Sequence, residues 1–143
     1  MTGRDFVVCA EHLTQRSAEA DLRSAVSRAY YGAFHEARTL LQESGVRLPK
    51  TEQFHLKVGF CLQDCGDPNA GHAGQQLELL RLERRRADYD LEDDRFYDRL
   101  KPQSEVARAN HILKLLDNCR TAAAEFKPKV RAQAKLLGLT VSD

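Results

Sequence analysis

Residues 18–43 read AEADLRSAVSRAYYGAFHEARTLLQE, and this stretch decides the fold class. Apolar side chains recur in it at steps of three and four residues, which is the spacing of one face of an α-helix. They are Leu22, Val26, Ala29, Ala33, Ala37 and Leu40, and the stripe is widened by Tyr30, Phe34 and Leu41. Gly45 follows as a helix stop. The pattern predicts one uninterrupted helix, about 39 Å long, as the spine of a helical bundle.

The composition of the whole chain points the same way. Its 143 residues are typical of one domain, and they include 36 Ala and Leu but only 9 Val and Ile. Because Ala and Leu favour helices and β-branched residues favour strands, the composition argues against an all-β fold and disfavours a doubly wound sheet. We therefore expect an all-α, up-and-down bundle of about five helices.

The prolines and turn residues mark where these helices end, since proline disfavours helix interiors. We expect helices over about residues 5–15, 18–43, 52–63, 73–86 and 103–126. Pro128 is expected to interrupt the last of them. Residues 1–127 would then form the bundle, and residues 128–143 a basic C-terminal tail with one or two further helical turns.

The charges nearly cancel, with 22 basic and 21 acidic residues. This balance argues against a uniformly basic nucleic-acid coat and against an acidic disordered tail. The chain has no apolar run of about 18 residues, so no membrane span is expected, and its first residues lack the pattern of a signal peptide. We expect a cytoplasmic protein.

Four scattered cysteines raise the question of a metal site. Cys61 and Cys65 stand four residues apart and are flanked by His55 and His72. A zinc site is one interpretation, but the spacing matches no common zinc module. Free cysteine is more often a small buried hydrophobe. We therefore predict buried thiols, no metal and no cofactor.

Residues 27–35, SRAYYGAFH, form the first group that is suited to chemistry. Arg28, Tyr31 and His35 lie three and four residues apart and so share one helix face. A helix face that shows Arg, Tyr and His together is unusual for pure packing, so the three residues are candidates for a functional site. The alternative is ordinary packing, in which the tyrosine buries its ring and the arginine lies along the surface.

Residues 81–90, RLERRRADYD, form the second group. Four arginines occupy six positions, and five acids follow between Asp88 and Asp94. Arginines such as Arg84 and Arg85 grip phosphates with planar, paired N–H donors. The alternative is a solvated helix end with compensating charges.

The two groups together resemble the HEPN superfamily. The resemblance is carried by Arg28-Ala29-Tyr30-Tyr31, by His55 in the next helix and by Arg84-x-x-Ala87-Asp88-Tyr89, in this order and with similar spacing over residues 4–126. It implies a helical bundle that dimerises. It also implies one of two activities: many HEPN domains are metal-independent endoribonucleases, and others bind RNA or nucleotides without cleavage.

The chain departs from the nuclease pattern of that family, which is Arg, four to six residues, then His. Arg84 fits the arginine, but Asp88 and Tyr89 stand where the histidine would be. Tyrosine is a poor base at neutral pH, and an ordinary aspartate is a weak one. His35 is therefore the candidate replacement, with Arg84 stabilising the charge that develops on phosphorus. The predicted catalytic group is Arg84, Asp88, Tyr89 and His35, and the predicted RNA-binding group is Arg28, Tyr31 and Arg85.

Three functions remain open. The first is a toxin-like or defence-associated endoribonuclease that acts as a homodimer. The second is an inactive HEPN module that binds RNA, a nucleotide or a partner such as a minimal nucleotidyltransferase antitoxin, for which Tyr89 is the candidate modification site. The third is a structural partner that dimerises through its aromatic residues, namely Tyr30, Tyr31, Phe34 and Tyr89.

Overall fold

The computed structural model describes residues 1–49 and 54–142. This part of the chain contains six α-helices and one pair of short strands, so the prediction of an all-α bundle is confirmed. The elements are α1 (Gly3–Leu13), α2 (Glu19–Glu43), β1 (Val46–Arg47), α3 (Phe54–Gln63), α4 (Pro68–Tyr89), α5 (Leu100–Thr121), α6 (Ala123–Leu136) and β2 (Thr140–Val141). The predicted start of α3 lies outside the described residues.

Helix α2 is the centre of the bundle, as its apolar stripe predicts. Residues of that stripe are almost fully buried, and the helix ends at Glu43, just before Gly45, whose φ of 89° suits glycine. Helix α1 packs closely against α2 because two glycines meet. A Cβ atom on Gly32 would lie 2.6 Å from the Gly3 carbonyl oxygen, so neither position has room for a side chain.

Helices α2, α4 and α5 run up and down. Along α2 and α4 the contacts occur in opposite order, with Arg23 bonded to the Ala87 carbonyl and Tyr30 beneath Arg84. Helix α4 begins earlier than predicted because Asp67 caps it, accepting a hydrogen bond from the Ala70 amide at 3.0 Å. No described helix is long and apolar enough to cross a membrane.

The C-terminal region differs from the prediction. Helix α5 ends at Thr121 instead of Phe126, and α6 then runs through Pro128 to Leu136. One face of α6 is buried in the core, through Phe126, Val130 and Ala134. Burial of this face outweighs the missing amide hydrogen bond of the proline. The chain then returns to pair β2 with β1, so residues 128–142 belong to the bundle.

Candidate functional site

A cleft of about 900 Å³ opens between α2, α3 and the C-terminal half of α4. We call it the arginine cleft. Arginine is its most frequent side chain, and a partly exposed imidazole lies beside the guanidinium groups. It is lined by Tyr31, His55, Leu56, Arg81, Leu82, Arg84, Arg85, Arg86, Tyr89 and Asp90. Of the residues predicted from sequence, the cleft therefore brings together Arg84, Arg85, Tyr31 and Tyr89.

Arg84 is the most enclosed arginine of this cleft. Its guanidinium carbon lies 5.3 Å from the centre of the Tyr30 ring and 5.5 Å from that of Tyr31, while its side chain is 13% exposed. Its Nε has no hydrogen-bond partner among the described residues. This Nε is itself buried, as is the equally unpartnered Nε of Arg38, so an external anion would meet Arg84 through its Nη groups.

Asp88 competes for that position. Its Oδ2 lies 3.6 Å from Nη1 of Arg84 and accepts a hydrogen bond from the Ser27 hydroxyl at 3.3 Å. Arg84 and Asp88 stand four residues apart on α4 and so form an i,i+4 ion pair. The carboxylate lies where it neutralises the arginine, and a bound phosphate would have to share or displace it.

The other arginines of α4 divide into two kinds. Arg81 is held by both carboxylate oxygens of Glu78, at 2.9 and 2.8 Å, and Arg86 pairs with Glu83 at 2.7 Å. Arg85 makes no ion pair or hydrogen bond with any other described residue. Tyr89 lies at the rim and is 78% exposed. Arg84 and Arg85 are therefore the arginines best placed for an external anion.

His55 is the imidazole of the cleft, and our sequence prediction placed this role on His35. Its Nδ1 lies 2.5 Å from the Tyr30 hydroxyl, and its ring stacks on Phe34 at a centroid distance of 4.2 Å. Burial raises the pKa of Tyr30, so the hydroxyl keeps its proton. Which of the two groups donates this hydrogen bond depends on the tautomer of His55.

The sequence held one indirect signal for this contact. Tyr30 lies on the buried stripe of α2, and a buried tyrosine hydroxyl needs a partner. The sequence did not say which residue this partner is, because the contact joins two separate helices, α2 and α3. The resemblance to HEPN proteins pointed to His55 without giving it a role.

His35 and Arg28 lie outside the lining of the cleft, on the other side of Tyr31. The guanidinium carbon of Arg28 is 5.2 Å from the Phe6 ring centre and 5.5 Å from that of Tyr31. His35 stacks on Phe6 at 5.6 Å. Burial, together with Arg38 and Arg28, lowers the pKa of His35, so this imidazole is neutral at pH 7.

The zinc interpretation of the cysteines gains no geometric support. His55 faces Tyr30 on α2, whereas His72 contacts His111 on α5 at a centroid distance of 4.9 Å. Among the described residues, no group of three or more metal-ligating side chains is placed around one point. Cys61 and Cys119 are buried, and burial raises their pKa values to about 11 and about 12. These two thiols are core residues.

The prediction of an aromatic dimer face is wrong for Tyr30 and Phe34. Tyr30 and Phe34 are buried within their own chain, at 0% and 5% exposure, and so cannot contact a second copy. Two exposed leucines, Leu56 and Leu82, line the cleft instead, and Phe60 and Leu79 are also exposed on the same helices, α3 and α4.

Comparison with known proteins adds no further information about this site. No protein-family model, no curated protein and no solved structure matches the chain. The resemblance to the HEPN superfamily therefore stays a prediction, carried by the residues quoted above. The site has to be interpreted from its own chemistry.

Proposed function

We propose that this chain is a HEPN-like protein that binds RNA in the arginine cleft and cleaves it as an endoribonuclease without a metal ion. The observation that carries this proposal is Arg84, a guanidinium held against two tyrosine rings that lines the cleft together with the imidazole of His55. A planar guanidinium recognises phosphate with paired hydrogen bonds, and Arg85 adds a second positive charge.

Cleavage follows from placing an RNA phosphodiester against Arg84. The ribose 2′-oxygen attacks phosphorus, its proton leaves to a base, and the bond from phosphorus to the 5′-oxygen breaks as that oxygen takes up a proton. The products are a 2′,3′-cyclic phosphate and a 5′-hydroxyl. Arg84 stabilises the negative charge on the phosphoryl oxygens, and His55 transfers the proton.

In this scheme the remaining predicted residues have supporting roles. Asp88 holds Arg84 through their ion pair, and Tyr31 packs against the same guanidinium. Tyr89 contacts the strand at the rim of the cleft. His35 is separated from Arg84 by Tyr31, so the proposal assigns the proton transfer to His55.

The experiment is digestion of an end-labelled single-stranded RNA by the purified protein in EDTA. We expect fragments that end in 2′,3′-cyclic phosphate, and we expect Arg84→Lys and His55→Asn to abolish them. Arg47→Ala is the matched control, because Arg47 is exposed on β1 and makes no ion pair with another described residue. Unchanged cutting by both cleft variants would contradict the proposal.

A second candidate is binding without cleavage, and the hydrogen bond between Tyr30 and His55 favours it. In the tautomer in which the Tyr30 hydroxyl donates to Nδ1, the imidazole carries a proton on Nε2, where it is a hydrogen-bond donor and not a base. The protein would then hold RNA or a nucleotide through Arg84 and His55. It would bind the labelled RNA without cutting it, and the binding would weaken as salt rises.

The proposal includes a homodimer, as HEPN proteins usually form. The exposed leucines beside the cleft support it, because apolar patches on a surface mark contact sites. We expect Leu56→Asp with Leu82→Asp to convert a dimer to a monomer in analytical ultracentrifugation. Leu136→Asp, equally apolar and 82% exposed at the end of α6, should leave the dimer unchanged. A wild-type monomer would contradict this part.

The biological setting proposed is a cytoplasmic toxin or defence protein with a minimal nucleotidyltransferase as antitoxin. The exposed Tyr89 hydroxyl supports the idea of modification there, since it is reachable by another enzyme. Co-expression with such a nucleotidyltransferase followed by mass spectrometry should show a nucleotide on Tyr89. Absence of that added mass, with the transferase active on its own substrate, would remove this partner.

A further inference from the structure

A second group of partly exposed side chains, three rings and one guanidinium, lies directly beside the arginine cleft. We call it the α1–α2 subsite, and its members are Phe6, Arg28, Tyr31 and His35. The close glycine contact between α1 and α2 brings Phe6 over the exposed face of α2. From this arrangement we infer that the subsite binds an unstacked nucleobase, so that the ligand of the cleft is a single strand. This inference rests on the proposed function.

The guanidinium of Arg28 is the centre of the subsite. It is close to two rings, 5.2 Å from the centre of Phe6 and 5.5 Å from that of Tyr31. It makes no ion pair or hydrogen bond with another residue of the described chain. A flat guanidinium that is held against aromatic rings offers its remaining face to a base, which stacks on such a plane as it does on a ring.

His35 gives the subsite a means of contacting the edge of a base. Its ring stacks on Phe6, and it is uncharged at neutral pH because its pKa is lowered. A neutral imidazole has one donor and one acceptor nitrogen. Base edges present both kinds of group, whereas phosphate presents only acceptors. His35 is therefore suited to a base, while Arg84 is suited to a phosphate.

Tyr31 connects the two places. One ring contacts the Arg84 guanidinium at 5.5 Å and the Arg28 guanidinium at 5.5 Å. The two arginines are thus separated by a single aromatic residue, which is the scale of one nucleotide. A strand with its phosphate on Arg84 can place a neighbouring base on Arg28 only if that base has left its helix, so a duplex would lose this contact.

The test compares two labelled ten-nucleotide probes that cannot be cleaved because every ribose is 2′-O-methylated. One carries bases of mixed sequence and the other is abasic throughout. We expect the wild-type protein to bind the base-bearing probe about tenfold more tightly than the abasic one, as for one stacked base. A duplex of the same sequence should bind like the abasic probe.

Two conservative variants separate stacking from charge. Arg28→Lys keeps the positive charge but loses the plane, and Phe6→Leu keeps the apolar volume but loses the ring. Both should bind the abasic probe within about twofold of wild type and lose the tenfold preference for bases. Arg84→Ala should weaken binding of both probes, and Arg47→Ala should change neither.

The outcomes distinguish this inference from the function on which it rests. Equal wild-type affinity for the two probes, with both weakened by Arg84→Ala, overturns the base subsite and leaves the phosphate cleft standing. Loss of abasic binding in Arg28→Lys also overturns it, because Arg28 would then contribute to binding of the sugar-phosphate chain and not to stacking on a base. Failure of the wild type to bind either probe contradicts the proposed function, and the subsite with it.

Discussion

The charged side chains on two sides of helix α4 are arranged in opposite ways. On one side, Glu83 and the fully buried Glu105 form an ion-pair network with Lys101, Arg95 and Arg108, at distances between 2.9 and 3.4 Å. On the other side, Arg84 and Arg85 face the cleft. Among the described residues their one ion pair is the long contact of Arg84 with Asp88, at 3.6 Å. Arginine is therefore paired with carboxylates in the network, whereas in the cleft it is available to a ligand.

The difference shows how to separate structural charges from functional ones. A buried carboxylate must be paired, because an isolated charge in the interior is costly, and the network satisfies that need. The cleft arginines are stabilised by aromatic faces, which attract a cation but leave its N–H groups unsatisfied. Charge in the network should therefore support folding, and charge in the cleft should support binding.

The largest expected effect is on folding, from Glu105→Ala. Removing the carboxylate leaves Lys101 and Arg108 without their buried partner, and because both are about a quarter exposed we expect a loss of about 2 to 3 kcal/mol in the free energy of unfolding. Urea denaturation measures it. Glu43→Ala removes an exposed pair with Arg120 and should cost less than about 1 kcal/mol. Equal losses in the two variants would contradict the contrast.

The next effect is on binding, from Arg84→Met. RNA affinity should fall about tenfold or more, while the free energy of unfolding should stay within about 1 kcal/mol, because the arginine has an unpartnered Nε that methionine removes. Fluorescence anisotropy and urea denaturation measure the two. The control is Arg86→Met, whose arginine is paired with Glu83. If the paired arginine matters as much to RNA, the division between the two regions is wrong.

A smaller effect of opposite sign is expected from Asp88→Asn. The substitution removes the negative charge beside Arg84, so affinity for an uncleavable RNA should rise about threefold, in line with the strength of a partly exposed ion pair. The effect should shrink as salt is added. A fall in affinity would instead make Asp88 a direct contact of the ligand.

The smallest effect is on the pH dependence of stability, through His35. Its pKa in the folded protein lies below the ordinary 6.5, because of burial and of Arg38 and Arg28, with Glu36 opposing them. The unfolded chain then binds the proton more readily, so the free energy of unfolding is steady above pH 6.5 and falls as pH drops below it. His35→Gln should flatten that fall in urea denaturation at pH 7 and pH 5. An unchanged fall in the free energy of unfolding in this variant would show that a group other than His35 causes it.

Much of the fold was predictable, but not its C-terminal end. Helix α2 was predicted within one residue of its observed start, because a long apolar stripe leaves few alternatives. The end of α5 was not, since residues 122–124 are all alanine and favour continuing the helix. The chain turns at Ala122 because Phe126 and Val130 are buried, and that is a property of the packed bundle.

The sequence by itself determined the helices and the local neighbours within them. The pairing of Arg84 with Asp88, and the contact of Arg28 with Tyr31, follow from the spacing of residues on one helix. Only the tertiary structure decided that His55, and not His35, shares the cleft with Arg84, and that Phe6 covers Arg28. Helix periodicity says which residues share a face, whereas the partner of that face depends on how separate helices pack.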